Sequence, residues 1–205
     1  RKVNIPFEAY AFTSDYYGPR SNEEINSKKD YGEEHYWKQV ENDIDLRKCN
    51  LMNLLSSKMS STEFAYAADC MLLAFSPRRR SHPNWFSLSG TPLNETIIAA
   101  MELVPAFQKQ YKLQVVNTVF LTDGEGHPLR ERCYTDDSGN LSREHISSSY
   151  SYDYKSGRDI VVVDPVTKNQ QLIKDSRSCD SHTKAYLELF KQRTNCNVVG
   201  FYVLF

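Results

Sequence analysis

The most regular feature of the hydrophobic pattern is an apolar run at 115–122, V-V-N-T-V-F-L-T, which leads directly into Asp123. A β-preferring run of this length that ends in turn residues predicts a strand buried on both faces of a sheet. Asp123 then lies at the carboxyl end of the strand, where open α/β sheets place their ligand crevice. Gly124 and Gly126 allow a sharp turn there. The pattern therefore predicts a carboxylate at the rim of a sheet, with a turn-forming or helix-capping role for Asp123 as the alternative.

Elsewhere along the chain, the apolar spacing alternates between the strand period and the helix period. The predicted elements are a strand at 5–12, helices at 33–58, 63–75 and 92–107, the central strand at 115–122, a hairpin at 159–173 with its turn at 164–169, a helix at 183–193 and a strand at 198–205. This order predicts an α/β fold with a three-layer, mainly parallel, Rossmann-like sheet and helices on both faces. Residues 127–175 are interpreted as an insertion that carries the β-hairpin, within a single domain that spans 1–205.

The helix predicted at 63–75 has a clear start signal. Ser60-x-x-Glu63 has the form of a capping box, in which the two residues satisfy each other's backbone N–H groups. Helical spacing then places Phe64, Met71 and Phe75 on one side. We expect that side to face the sheet.

The next helix begins after Ser89-Gly90-Thr91-Pro92. Threonine is a good N-cap and proline suits the first helical position, so Thr91 is the predicted cap and Pro92 the first residue of the helix. The apolar face of this helix is expected to carry Leu93, Ile97, Ile98, Met101, Val104 and Phe107.

Bulk composition narrows the classes of function. A chain of 205 residues with 40% hydrophobic residues suits one large domain. Its net charge of −1 gives no general attraction to nucleic acid or to a membrane surface, and no apolar run is long enough to cross a bilayer. Five cysteines without a C-x-x-C pair indicate a reducing compartment, so we expect a cytoplasmic protein.

The start at Arg1 and the end in an apolar run at Phe205 predict a fragment of a longer polypeptide.

Two motifs, S-G-T-P-L-N at 89–94 and V-F-L-T-D-G-E at 119–125, are separated by an amphipathic helix and together resemble the middle of a von Willebrand factor A domain. In that fold the two loops converge on one divalent cation, the metal-ion-dependent adhesion site. The resemblance implies that Thr91 supplies a hydroxyl ligand and Asp123 a carboxylate ligand to Mg²⁺ or Mn²⁺. It places the flanking residues Ser89, Gly90, Gly124 and Glu125 at the binding site.

One part of the family pattern is absent, because the chain has no D-x-S-x-S motif after a first strand. Only two of the five expected ligands are present, so this chain alone should hold a cation weakly. The long polar region before Thr91 is more similar to intracellular A domains of the cobaltochelatase-helper type, which work beside an AAA+ ATPase. Open reading frames of this type occur in large tailed phages, so the resemblance would place the protein in the host cytoplasm or the virion.

Three functions follow from these observations. The first is a protein-binding module in which a partner's Asp or Glu completes the cation site. The second is a metal-free structural protein of a phage assembly. The third is a metal-dependent phosphohydrolase that would use Asp123, Glu125 and His127. No P-loop and no G-x-S-x-G motif is present, so the enzyme is disfavoured and no catalytic residue is assigned.

Overall fold

The structure of the chain is a computed structural model, which describes residues 5–14, 40–46, 49–74, 90–129, 131–146 and 159–202. Over these residues the fold is mixed α/β, with three helices and four two-stranded sheets. Within the same ranges no helix is long and apolar enough to cross a membrane. The elements are β1 (Glu8–Ser14), β2 (Cys49–Ser56), α1 (Ser61–Ala74), α2 (Leu93–Tyr111), β3 (Asn117–Thr122), β4 (Glu131–Thr135), β5 (Leu141–His145), β6 (Ile160–Val163), β7 (Gln170–Ile173), α3 (Cys179–Thr194) and β8 (Asn197–Tyr202).

The core lies between the two long helices, α2 and α3, and one face of the strand pair β3–β8. Phe120 from β3 meets Phe190 from α3 edge to face, with ring centroids 5.8 Å apart. Burial of each such side chain stabilises the fold by roughly 1.5–3 kcal/mol. The apolar face predicted for α2 is confirmed, because its members are buried or packed against the core: Leu93, Ile97, Ile98, Met101, Val104 and Phe107.

The strand predicted at 115–122 is confirmed as β3, and the strand predicted at 198–205 is confirmed as β8 over 198–202, while residues 203–205 lie outside the described residues. The two strands pair in parallel from Asn117↔Asn197 to Thr122↔Tyr202. The expectation that the central strand is buried on both faces is wrong. Side chains alternate across a strand, so the residues on either side of buried Phe120 face away from the helices. Nothing in the described ranges covers that second face, whose exposed apolar residues are Val119, Leu121, Val199 and Phe201.

The sheets differ from the predicted mainly parallel arrangement. Of the four strand pairs in the described ranges, only β3–β8 is parallel, while β1–β2, β4–β5 and β6–β7 are antiparallel. The pairs are separate and small, so the described part of the chain forms a mixed α/β fold with one parallel unit. Parallel strands need a long crossover connection, and residues 123–196, which include α3, connect β3 to β8 here.

The helix predicted at 33–58 is wrong over 40–46, which contain no helix, and over 49–56, which form strand β2; residues 33–39 and 47–48 lie outside the described residues. The cause is a bulge in the β1–β2 ladder. Ala9 pairs with Leu55 and Tyr10 pairs with Asn53, which leaves Leu54 as an extra residue on β2. A bulge interrupts the two-residue alternation of a strand. Leu51, Leu54 and Leu55 therefore show an apolar spacing that imitates a helix.

Helix α1 begins with the predicted capping box. The Ser60 backbone N–H donates to Glu63 Oε2 at 2.8 Å, and the Glu63 N–H donates to Ser60 Oγ at 3.3 Å. These backbone and side-chain hydrogen bonds hold the pKa of Glu63 below its usual value. The predicted inward face is only partly realised, because Phe64 is 39% exposed and Met71 is half-buried. Phe75 lies outside the described residues.

The β4–β5 hairpin is absent from the sequence-based predictions, which assign no helix or strand between residues 127 and 158 of the insertion. Its turn at 136–140 contains Gly139 at φ +80°, a left-handed conformation that favours glycine. The side chain of Asp136 accepts hydrogen bonds from the backbone of Ser138 and Asn140. The D-D-S-G-N sequence of this turn is the signal that could have revealed the hairpin.

The second hairpin, β6–β7, is confirmed together with its turn. The buried carboxylate of Asp164 accepts hydrogen bonds from Val166 N at 3.0 Å and from Thr167 Oγ1 at 2.6 Å. It also forms an ion pair with Arg193 Nη1 of α3 at 3.0 Å, and Arg193 contacts Glu102 of α2 as well. The carboxylate of Asp164 therefore attaches the hairpin to α3, and the guanidinium of Arg193 extends this connection to the carboxylate of Glu102 on α2.

Substitution of Asp164 tests this attachment. Burial alone would raise the pKa of Asp164, but the hydrogen bonds of the turn and the charge of Arg193 outweigh it, so the pKa lies below its usual 3.8. A lowered pKa in the folded state stabilises the protein above pH 3.8, and that stabilisation is lost as the pH falls through the folded pKa. We expect Asp164→Asn to lower the free energy of unfolding at pH 7 by about 2 kcal/mol.

The measurement is urea unfolding of wild type and Asp164→Asn between pH 3 and pH 7. The difference between the two proteins should shrink as the solution becomes acidic, because protonation removes the same charge from the wild type. A difference that stays constant down to pH 3 would contradict a role for the ionised carboxylate.

Candidate functional site

The turn after β3 is built by Thr122 and not by Asp123. The backbone N–H of Gly124 donates to Thr122 Oγ1 at 3.2 Å, and this hydroxyl donates to the Gly124 carbonyl oxygen at 2.9 Å. Asp123 is exposed, and its carboxylate makes no hydrogen bond to any residue in the described ranges. The turn-forming role considered for Asp123 therefore belongs to its neighbour.

In the loop before α2, the hydroxyl of Thr91 makes no hydrogen bond to the start of the helix. Helix α2 begins at Leu93 with Pro92 as the N-cap, one residue later than predicted, and no side chain caps it. Gly90 adopts φ +70°, so the loop approaches the helix through a left-handed residue. The backbone of Thr91 accepts a hydrogen bond from Leu93 N at 2.8 Å. The predicted capping role of Thr91 is wrong, because its hydroxyl does not bond the helix backbone.

The Thr91 hydroxyl and the Asp123 carboxylate, neither of which is used by the local structure, come from segments that lie against each other. A Cβ atom placed on Gly124 would be only 2.8 Å from Thr91 Oγ1, so the threonine hydroxyl contacts the backbone of the residue that follows Asp123. A side chain at position 124 would force the Thr91 hydroxyl to move. The segments 90–94 and 119–125 therefore meet at Thr91 and Gly124, and the region between Thr91 and Asp123 is called the crevice below. Of the other residues expected there, Gly90 precedes Thr91 directly, Glu125 follows Gly124, and Ser89 lies outside the described residues.

A residue that sequence reasoning did not assign, Asn94, holds the crevice together. Its side chain is completely buried; Nδ2 donates to the His127 carbonyl oxygen at 2.7 Å, and Oδ1 accepts from Thr183 Oγ1 of α3 at 2.8 Å. A Cβ atom on Gly126 would lie 3.0 Å from Asn94 Cγ, so this glycine fits closely against the amide. The available signal was an amide at the start of an apolar helix, directly after Leu93.

The two residues that follow Asn94 in α2, Glu95 and Thr96, are also polar and buried. Glu95 is 7% exposed. Burial, together with the charge of Glu95, raises the pKa of the Cys49 thiol to about 12, although a contact with Thr96 opposes this rise. Burial and Glu95 also raise the pKa of Tyr186. A protonated, buried thiol is a poor nucleophile, so Cys49 does not provide reactive chemistry at neutral pH.

The chemistry available at the rim is that of hard oxygen donors. Thr91 offers a hydroxyl, and Asp123 and Glu125 offer exposed carboxylates. Oxygen ligands of these types are the ones that Mg²⁺ and Mn²⁺ prefer, but three of them do not fill an octahedral shell. Across the described ranges, no group of three or more His, Cys, Asp or Glu side chains could hold a metal ion. His127 is exposed and contributes its backbone oxygen to Asn94. The arrangement can hold a cation only with open coordination positions.

Comparison of this chain with protein-family models, with curated proteins and with solved structures finds no match. The geometry of the crevice and the residues that form it are therefore the basis for any function assigned to the site.

The contact between Gly124 and Thr91 predicts a specific energetic coupling. Gly124→Ala should lower the free energy of unfolding by about 1–3 kcal/mol, because the new methyl group overlaps the Thr91 hydroxyl. Thr91→Ala should cost little, about 0.5 kcal/mol or less, since its hydroxyl caps no helix. The double variant should recover most of the loss. Thermal unfolding of all four proteins measures the coupling, and simple additivity would contradict this contact.

Proposed function

We propose that this chain is a cation-dependent protein-binding module whose site is the crevice between Thr91 and Asp123. The observation that supports the proposal is the uncommitted state of these two groups. Neither the hydroxyl nor the carboxylate is used by the turn or by the helix start at which it lies. Polar residues at such positions commonly cap helices or close turns, so their availability favours a ligand-binding role.

The proposed cation is Mg²⁺ or Mn²⁺. Thr91 would offer a neutral oxygen and Asp123 a charged one, leaving most of an octahedral shell to water and to a partner. The cation would neutralise the charge of Asp123 and leave net positive charge for an incoming group. A carboxylate of a partner protein, from Asp or Glu, matches that charge and completes the site.

The start of α2 supports an acidic partner independently. The first turn of a helix carries the positive end of the helix dipole. Helix α2 begins at Leu93, two residues after Thr91. A carboxylate that approaches the crevice would therefore meet a favourable field from the helix as well as from the cation.

The resemblance to von Willebrand factor A domains gives this proposal its most specific form. Intracellular members of that family work beside AAA+ ATPases, so an AAA+ ATPase with an exposed acidic residue is the partner that we propose. We also propose that the chain has the fold of that family, a three-layer arrangement with helices on both faces of one sheet. A layer over the open face of β3–β8 would complete such a sheet, since parallel sheets are normally covered on both sides.

A second candidate function, a metal-free structural protein of an assembly such as a phage particle, is favoured by a different observation. The outer face of β3–β8 presents four exposed apolar residues in two directly paired positions, Val119↔Val199 and Leu121↔Phe201. Contiguous apolar surface of this kind is typical of contacts with other protein surfaces. Assembly through this face would not require the cation crevice.

Titration with Mn²⁺, followed by the loss of the free-ion paramagnetic resonance signal, tests the proposed function. We expect Thr91→Ala and Asp123→Asn each to weaken binding by about tenfold or more, because each removes one of the two protein ligands. Asp137→Asn is the matched control, since it removes an exposed aspartate from the turn between β4 and β5. It should leave the affinity unchanged.

Equal Mn²⁺ affinity in wild type, Thr91→Ala and Asp123→Asn would exclude the crevice as the cation site. Saturable binding that all three share would point to carboxylates elsewhere on the surface. Assembly that persists in chelator, and is lost when Leu121 or Phe201 becomes polar, would favour the structural function instead.

A further inference from the structure

The side chain of Asn94 connects three segments that are distant in sequence. It belongs to the first turn of α2, it bonds the backbone of His127 in the loop after β3, and it bonds Thr183 in the first part of α3. We infer that Asn94 is the positioning residue of the rim loop, defined as residues 123–127. The connection between this role and cation binding depends on the proposed function.

The two hydrogen bonds require an amide in one orientation. The His127 carbonyl oxygen can only accept, so it must face Nδ2, and Oδ1 is then directed at the hydroxyl of Thr183. A carboxylate has nearly the same shape but no donor, so Asn94→Asp would set two acceptors against each other in a buried place. The site therefore distinguishes asparagine from aspartate by chemistry and not by size.

The rim loop and the amide also fit each other sterically. A Cβ atom on Gly126 would lie 3.0 Å from Cγ and from Oδ1 of Asn94, and 3.1 Å from Nδ2. Gly126 is buried and packs directly on the plane of the bonding amide. Any displacement of Asn94 would therefore release both the backbone of Gly126 and the hydrogen bond at His127.

The set of contacts that Asn94 makes with His127, Gly126 and Thr183 is called the joint. Its contact with Thr183 lies on a helix whose start is capped. Ser178 caps α3 by accepting a hydrogen bond from Ser181 N at 3.2 Å, and Thr183 follows within the first turns of this helix. The rim loop is thus fastened to the two long helices and not only to the end of β3. Because Asp123 and Glu125 lie in this loop, their positions relative to Thr91 depend on the joint.

Hydrogen exchange of backbone amides tests the inference without any cation. In Asn94→Asp, the rim-loop amides that are protected in wild type should exchange about tenfold faster or more, beyond any uniform change elsewhere; these are the amide of Gly124, which is bonded to Thr122, and that of buried Gly126. Thr183→Val keeps the bond to His127 and should give a smaller effect at the same residues. It also keeps the test decisive if Asn94→Asp fails to fold. Asp164→Asn is the matched control, because it destabilises the fold away from the rim loop and should produce no local change at 124–127.

The same proteins, titrated with Mn²⁺, connect the joint to the proposed site. We expect Asn94→Asp to weaken Mn²⁺ binding by about tenfold, as loss of a group that orients ligands does, and Asp164→Asn to leave it unchanged. Exchange at 124–127 that rises no more than in Asp164→Asn would overturn the positioning role. Wild-type protein that binds no Mn²⁺ would contradict the proposed function, while the exchange experiment would still decide on Asn94.

Discussion

The buried amide of Asn94 is the interaction on which the candidate site depends. An amide placed in a protein interior without partners costs about 1–3 kcal/mol, so its burial is stable only when both of its polar ends are bonded. Here those bonds join α2 to the loop after β3 and to α3, across separations of 33 and 89 residues. The loop that carries Asp123 is therefore located by helix packing as well as by its own strand.

The contacts of Asn94 depend on the packing of the core. The parallel pair β3–β8 lays one face on α2 and α3, where Phe120 meets Phe190, and this packing brings the end of β3 beside the start of α2. The close approach of Gly124 to Thr91 and of Gly126 to Asn94 follows from that placement. Two glycines in the loop are required because a side chain at either position would meet α2 or the residues just before it.

The polar side chains at the crevice fall into two groups, those that hold the local structure and those that do not. Asn94, Thr122 and Thr183 use their side chains to hold the local structure. Thr91 and Asp123 lie among them and perform no such structural task. Local sequence and global fold normally agree at every position, and departures from that agreement are concentrated at functional sites. The same reasoning applies to the open face of β3–β8, where apolar side chains remain in contact with solvent.

Local patterns in the sequence were sufficient for the strands β3 and β8, the apolar face of α2, the capping box at Ser60 and the turn of the β6–β7 hairpin. Each of these depends on residues close in sequence or on simple periodicity. The pattern was insufficient for β2, because the bulge at Leu54 hides the alternation of the strand, and for the burial of β3, because coverage of a face depends on elements elsewhere in the chain.

For the site, the sequence by itself determined the two motifs that carry the hydroxyl and the carboxylate. Only the tertiary structure decided that Thr91 lies against Gly124, that Thr122 closes the turn, and that a buried asparagine holds the loop in place. The physical reason is that these contacts join residues that no local propensity connects. Their partners are selected by the packing of α2, α3 and β3 around one core.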